Sequence, residues 1–298
     1  MEFSEFCTHE ALDCRLPARQ IVPLVVASPH SGSAYPAPFL SQAAVPLTAL
    51  RRAEDAFVDE LFAAAPGLGM PFLAARFPRS YVDANREPYE LDPGMFEGPL
   101  PRPLNHRTTR VAAGLGMIPR VAASGEAIYR NRVPADEIER RLASCWRPYH
   151  AALSGLVEHT HRQFSAALLI DAHSMPSSAS TVGSRERNHP VDIVLGDNHG
   201  ESCAADLVGR AEQWLSGRGL RVERNQPYAG GFTTQRYGRP ASGRHALQIE
   251  INRALYMDEA RHEKLPAAEG ITTLMTGLLE ELAGQALSLL LPRQLAAE

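Results

Sequence analysis

The 298-residue chain is nearly devoid of lysine: among its 30 cationic side chains Lys264 stands alone, and the rest are arginine. That scarcity excludes several kinds of chemistry. A Walker A phosphate loop ends in Gly-Lys-Ser/Thr, and no Gly-Lys occurs. Schiff-base catalysis needs a lysine in an apolar pocket, whereas Lys264 lies in the polar run Arg261-His262-Glu263-Lys264. Cysteine is scarce as well. Cys7, Cys14, Cys145 and Cys203 form no Cys-x-x-Cys and match no zinc-ribbon spacing, so free thiols and a cytoplasmic setting are expected. No apolar run approaches the roughly 20 residues that span a bilayer. The opening Met1-Glu2-Phe3-Ser4-Glu5 carries acid where a secretory leader needs a basic stretch. There is no positive excess either. The net charge of −4 argues against nucleic acid as the main partner. No Gly-x-Ser-x-Gly elbow is present, which counts against serine hydrolysis. Histidine, carboxylates and arginine are left to carry any chemistry.

What is present is the composition of a globular protein, 44% hydrophobic and 21% charged. Apolar strand-like runs alternate with helical patterns, so the chain reads as one α/β domain with a mixed central sheet flanked by helices. Strands are predicted at 21–28, 72–76, 80–84, 166–171, 191–195, 220–223 and 245–252. Helices are predicted at 48–65, 136–163, 204–216 and about 258–290. Thr48 is the expected cap of the first, and Pro148 should kink or restart the second. Residues 87–133 are rich in Pro, Gly and Arg and weakly periodic, which marks a functional loop or disorder.

Three polar groups interrupt or end the strongest strands. His30 follows the first in Ser28-Pro29-His30-Ser31-Gly32, and His173 ends another in Asp171-Ala172-His173-Ser174. In an open α/β sheet, sites form beyond the carboxyl ends of strands. One such histidine is ordinarily a turn-bonding residue, but two in equivalent places suggest a metal. A catalytic zinc takes three protein ligands and keeps one position open. A carboxylate is expected as the third. Asp55 is the best local candidate, with Glu54 and Asp59 as rivals, although a helical carboxylate usually faces solvent. Glu250, between Ile249 and Ile251, is costly to bury unless it faces a polar cavity, where it would serve as general base and then acid. The run from Arg79 to Arg86 contains two arginines, Asp83 and Asn85. Asn85 with Arg86 makes a clamp for a carboxylate, and Asp83 could orient a metal-bound histidine. Gly230–Gly238 reads as a mobile or hairpin loop carrying Arg236.

Taken in order, Ser-Pro-His-Ser-Gly at 28–32, Asp-Ala-Asn-Arg at 83–86 and Trp-Arg-Pro-Tyr-His at 146–150 resemble the N-formylglutamate amidohydrolase family. Asp-Ala-His-Ser at 171–174, Gly-Gly-Phe-Thr-Thr-Gln-Arg-Tyr-Gly at 230–238 and Gln-Ile-Glu-Ile at 248–251 extend the likeness. The family is itself distantly similar to zinc carboxypeptidases, which implies a carboxypeptidase-like α/β fold and one zinc, or another divalent ion. The resemblance implies His30 and His173 as metal ligands, Asp55 by order as the acidic one, and Asp83 behind them. It implies Glu250 as the catalytic glutamate and Arg79 as the group polarising the scissile carbonyl. Asn85 and Arg86 would hold the α-carboxylate, Arg236 a second carboxylate, and Tyr237 would cap the substrate. Carboxypeptidases place their acidic ligand three residues after the first histidine, where this chain has Ser33. The implied reaction is hydrolysis of N-formyl-L-glutamate to formate and glutamate, as in histidine breakdown. The alternatives are another N-acyl amino acid or a cell-wall peptide, or a carboxylate-binding relative without catalysis. A small-molecule partner is expected, with neither nucleic acid nor membrane.

Overall fold

The computed structural model describes residues 6–181 and 190–289. The N-terminal pentapeptide and residue 290 of the expected last helix lie outside them. Seven strands form the central sheet. They are β1 (Leu12–Arg15), β2 (Leu24–Ser28), β3 (Phe72–Ala75), β4 (Ala167–Met175), β5 (Ile193–Gly196), β6 (Val222–Arg224) and β7 (Arg244–Asn252). Their order across the sheet is β1-β3-β2-β4-β7-β5-β6. The β3, β2, β4 and β7 neighbours run parallel, β1 is antiparallel to β3, and β5 is antiparallel to β7.

The central strands are buried on both faces, as parallel strands with helical cover must be. Along β2, Leu24 and Val26 pack on one side with Leu168, Ile170 and the C-terminal helix Ala268–Leu289. Val25 and Ala27 pack on the other with Leu169 and the long helix Arg147–Phe164. The histidine and carboxylate positions fall at the carboxyl ends of β2, β4 and β7.

Several sequence expectations are corrected. The helix predicted over 48–65 is broken into Leu47–Arg51 and Val58–Leu61, followed by the 3-10 turn Ala65–Leu68. Pro46, not Thr48, precedes its first turn. Between the pieces, Asp55 N–H donates to His30 O at 3.0 Å and Phe57 adopts a left-handed φ of 65°. An amide spent on another segment cannot continue a helix. Ser80–Ala84 is an irregular turn rather than a strand. The glycine-rich stretch is not a loop throughout, since Phe232–Tyr237 is helical. The last helix starts at Ala268, after a small ladder of Met257–Asp258 with Glu263–Lys264. Asp258 Oδ1 accepts the Ala260 and Arg261 amides, fixing a turn where helix was expected. Pro148 does disturb its helix: Leu142–Trp146 form a π-helical turn just before it. Residues 87–133 contain only short elements, such as Phe96–Glu97 paired with Val133–Pro134 and the helix Thr109–Ala112. They still contribute core residues, including Leu91, Met117 and Ile118. Finally, Cys7 and Cys14 are joined in a disulfide, because the N-terminal turn brings their Cα atoms to 5.5 Å; Cys145 and Cys203 are buried free thiols. Among the described residues, no helix is long and apolar enough to cross a membrane.

Candidate active site

His30 stands two residues beyond the end of β2, and His173 lies on β4, its parallel neighbour. The tight path after His30 explains Gly32. A Cβ there would lie 2.4 Å from Phe77 O and 2.5 Å from Arg76 C, both backbone atoms that cannot move aside. The two imidazoles meet through their Nδ1 atoms at 3.1 Å. Asp55 arrives from the break in the 47–61 segment and completes a triangle. Its Oδ2 lies 3.0 Å from His173 Nδ1 and 3.3 Å from His30 Nδ1. All three side chains are buried. The rival carboxylates are occupied elsewhere. Glu54 accepts from Tyr35 at 2.7 Å and pairs with His262 at 3.0 Å, and Asp59 faces Arg15 at 3.6 Å.

The outer nitrogens are held by other acids. His30 Nε2 lies 2.7 Å from Asp83 Oδ1, and His173 Nε2 lies 3.1 Å from Asp171 Oδ2. A carboxylate can only accept, so Asp83 assigns the His30 ring proton to Nε2, while His173 Nε2 faces both Asp171 and, at 3.4 Å, the Asn85 amide nitrogen. The two Nδ1 atoms and Asp55 Oδ2 therefore converge on one small volume, where a cation would meet all three. Its edges of 3.0, 3.1 and 3.3 Å compare with roughly 3.3 Å between ligands of a tetrahedral zinc with bonds of about 2.0–2.1 Å. His30, Asp55 and His173 are therefore a donor set that fits a divalent ion. Burial pushes the Asp55 carboxyl up. His173, His30 and Arg79 beside it more than offset this and hold it well below the usual carboxylate range.

Glu250 is the register partner of His173 across β4 and β7, so both side chains leave the same face of the sheet. It accepts from Gln248 Nε2 at 2.7 Å. Burial raises its carboxyl to about 7, against the lowering influence of His173. Such a group can both take and return a proton near neutrality. These residues line a cavity of about 640 Å³ that also exposes Arg79, Asn85 and Arg86. Arg79 Nη2 donates to Asp83 Oδ2 at 2.9 Å, and its Nη1 stands 3.8 Å from Asp55. Asn85 Oδ1 accepts from Thr233 N at 2.8 Å, which ties it to the 232–237 helix. Arg86 is nearly buried and donates to the carbonyls of Asn85 at 2.7 Å and Leu115 at 3.1 Å.

The structure does not bring two of the named residues to this cavity. Arg236 is exposed and lies over the Phe232 and Tyr237 rings, each 5.7 Å from its guanidinium. Tyr237 is buried behind the site, 2.9 Å from His150 Nδ1. The helical period of 232–237 turns both away, where a loop would have left them free. Other residues line the cavity that the sequence did not single out: Arg52, Arg110, Tyr228 and Arg253. Arg253 is buried and fully engaged. It donates to Asp55 Oδ1 at 2.9 Å, to Ser174 Oγ at 3.1 Å and to Arg52 O at 3.0 Å. Its position just after β7, the strand of Glu250, was the available sequence signal.

A sheet with histidines, acids and arginines gathered at the carboxyl ends of adjacent parallel strands defines an α/β enzyme with one polar centre. The comparisons specify it. The family model of N-formylglutamate amidohydrolase matches residues 22–257. The N-formylglutamate deformylase of Pseudomonas aeruginosa is 30% identical over 266 residues, covering 88% of this chain and 92% of its own. That of Pseudomonas putida is 29% identical over 208 residues, covering 69% and 71%. The crystal structure of N-formylglutamate amidohydrolase from Ralstonia eutropha JMP134 superposes with a TM-score of 0.87 at 38% identity, covering 92% of this chain and 98% of that one. The chain belongs to the N-formylglutamate amidohydrolase family, and with it to the enzymes that hydrolyse amide bonds.

Proposed function

We propose that this enzyme hydrolyses the formyl amide of N-formyl-L-glutamate, releasing formate and L-glutamate, with a divalent metal, most simply zinc, held by His30, Asp55 and His173. The carrying observation is the convergence of two Nδ1 atoms and one carboxylate oxygen within 3.3 Å beside Glu250. The metal, when bound, would supply Lewis-acid polarisation and a more acidic water. The chain's own residues do the rest. Glu250 removes a proton from the attacking water and delivers it to the departing amine. Arg79 offers a fixed positive charge to the carbonyl oxygen as it becomes negative. Asn85 and Arg86 hold the α-carboxylate, and Asp83 keeps His30 oriented. The test is formate release before chelation, after it, and after zinc is returned. Loss and recovery support the reading; full activity in metal-free protein overturns it.

A second reading keeps the chemistry and enlarges the acyl group. The cavity has an apolar wall from Ala113, Leu115, Val121 and Ala122, which suits carbon rather than a bare formyl hydrogen. Comparing kcat/KM for N-formyl-, N-acetyl- and N-propionyl-glutamate separates the two.

A further inference from the structure

Five arginines line the main cavity, and three of them are already engaged. Arg79 is paired with Asp83, and Arg253 with Asp55. Arg86 spends two of its donors on backbone carbonyls. Arg52 and Arg110 are different. Among the described residues, neither guanidinium has a carboxylate within ion-pair distance. Arg52 sits at the Asp55 end, three residues from that ligand. Arg110, on the short helix Thr109–Ala112, lines the cavity together with the Asn85–Arg86 clamp.

Arg110 also borders a second lobe of about 200 Å³, which shares Asn85 and Arg86 with the main cavity. That lobe is polar, with Asn105, Thr108, Thr109 and Gln235 on its walls. Two acids border it as well, and each already accepts a hydrogen bond: Glu87 from Asn105 at 2.7 Å and Glu90 from Thr108 at 2.7 Å. The positive charge of Arg110 adds to burial in lowering the pKa of Arg86. Two arginines and two glutamates thus border the lobe, and neither glutamate lies within ion-pair distance of Arg110, so the Arg110 charge is left for an incoming anion.

We infer that Arg110 is the residue that reads the second carboxylate of the substrate, the one on the amino-acid side chain, in the polar lobe beside Arg86. This rests on the proposed N-formylglutamate reaction, and it moves to Arg110 the duty that the sequence suggested for Arg236. A fork of donors on a short helix makes the enzyme selective for an anionic side chain over a neutral isostere.

The experiment compares kcat/KM for N-formyl-L-glutamate and N-formyl-L-glutamine in the wild type, Arg110→Gln, Arg110→Lys and Arg52→Gln. The wild type is expected to favour the glutamate substrate by roughly 10- to 100-fold, in keeping with loss of one charge-assisted contact. Arg110→Gln should bring the ratio close to one, mainly by slowing the glutamate substrate. Arg110→Lys should fall between, and Arg52→Gln should change the ratio by less than about threefold. Arg110 is exposed, so its variants should fold. An unchanged ratio in Arg110→Gln, or a larger effect from Arg52→Gln, overturns the inference while leaving the reaction standing. A wild type inactive on N-formylglutamate overturns the underlying reading instead.

Discussion

Arg253 Nη2 meets Asp55 Oδ1 at 2.9 Å, and this leaves the other oxygen of that carboxylate aimed at His30 and His173. Three anchors on Asp55, Ser174 and Arg52 fix the guanidinium itself. The Arg253 side chain therefore sets which way the Asp55 carboxylate points.

If so, Arg253→Met should weaken zinc binding by about 10- to 100-fold, the usual cost of losing a group that orients a ligand. Arg253→Lys keeps the charge but not the fork, and should lie between the variant and the wild type. Competition against a chromogenic chelator gives the affinity directly, and melting of the metal-free proteins separates it from loss of fold. Equal zinc affinity in all three would mean that Asp55 is aimed by other contacts.

Glu250→Gln keeps the shape of the side chain and removes its basicity. The expected result is a fall in kcat of about 10²- to 10⁴-fold with zinc content unchanged. Steady-state kinetics and metal analysis on one preparation make the comparison. A fall of less than about tenfold would assign proton transfer to another group.

Gly231 offers a test of the proposed carboxylate clamp from behind. A Cβ on it would lie 2.4 Å from both amide atoms of Asn85. Gly231→Ala should push Asn85 out of place, break its bond to Thr233 N and raise KM by about tenfold or more. Metal content should not change. A variant with normal KM would remove Asn85 from substrate binding.

His150 carries a pH signature in stability. Burial holds its pKa down at about 3, from 6.5 in the open chain. The folded protein therefore refuses a proton that the unfolded chain accepts. The contribution is complete above pH 6.5 and is lost as pH falls toward 3, by up to about 1.4 kcal/mol per unit. His150→Gln removes this term, so its stability should fall less steeply between about pH 6 and 4. Denaturant titrations at stepped pH decide the matter, and parallel curves for the two proteins would show that His150 is not the source.

The buried strands were legible, because strands covered on both faces announce themselves as apolar runs such as LVVAS and ALLID, whereas the half-buried edge strand Leu12–Arg15 was not. His30 and His173 were legible for the same reason: a polar group closing such a run needs a purpose. Asp55 was harder. Leu50, Phe57, Leu61 and Phe62 keep a helical spacing, and the bond from its amide to His30 O, with the left-handed turn at Phe57, breaks the helix and delivers the carboxylate. Arg110 and Arg253 were not legible. Nothing local distinguishes Arg110 from the other arginines, and Arg253 has only its place just after the Glu250 strand; the roles of both depend on which segments fold together around one cavity. The helix at 232–237 was hidden because glycines flank it on both sides.

The most direct measurement is the number of zinc ions per chain in the wild-type protein and in Asp55→Ala after reconstitution and removal of free metal. One ion per chain in the wild type and close to none in the variant is the expected result. Equal occupancy in both, or no zinc in a wild type that still releases formate, would contradict a centre built on His30, Asp55 and His173.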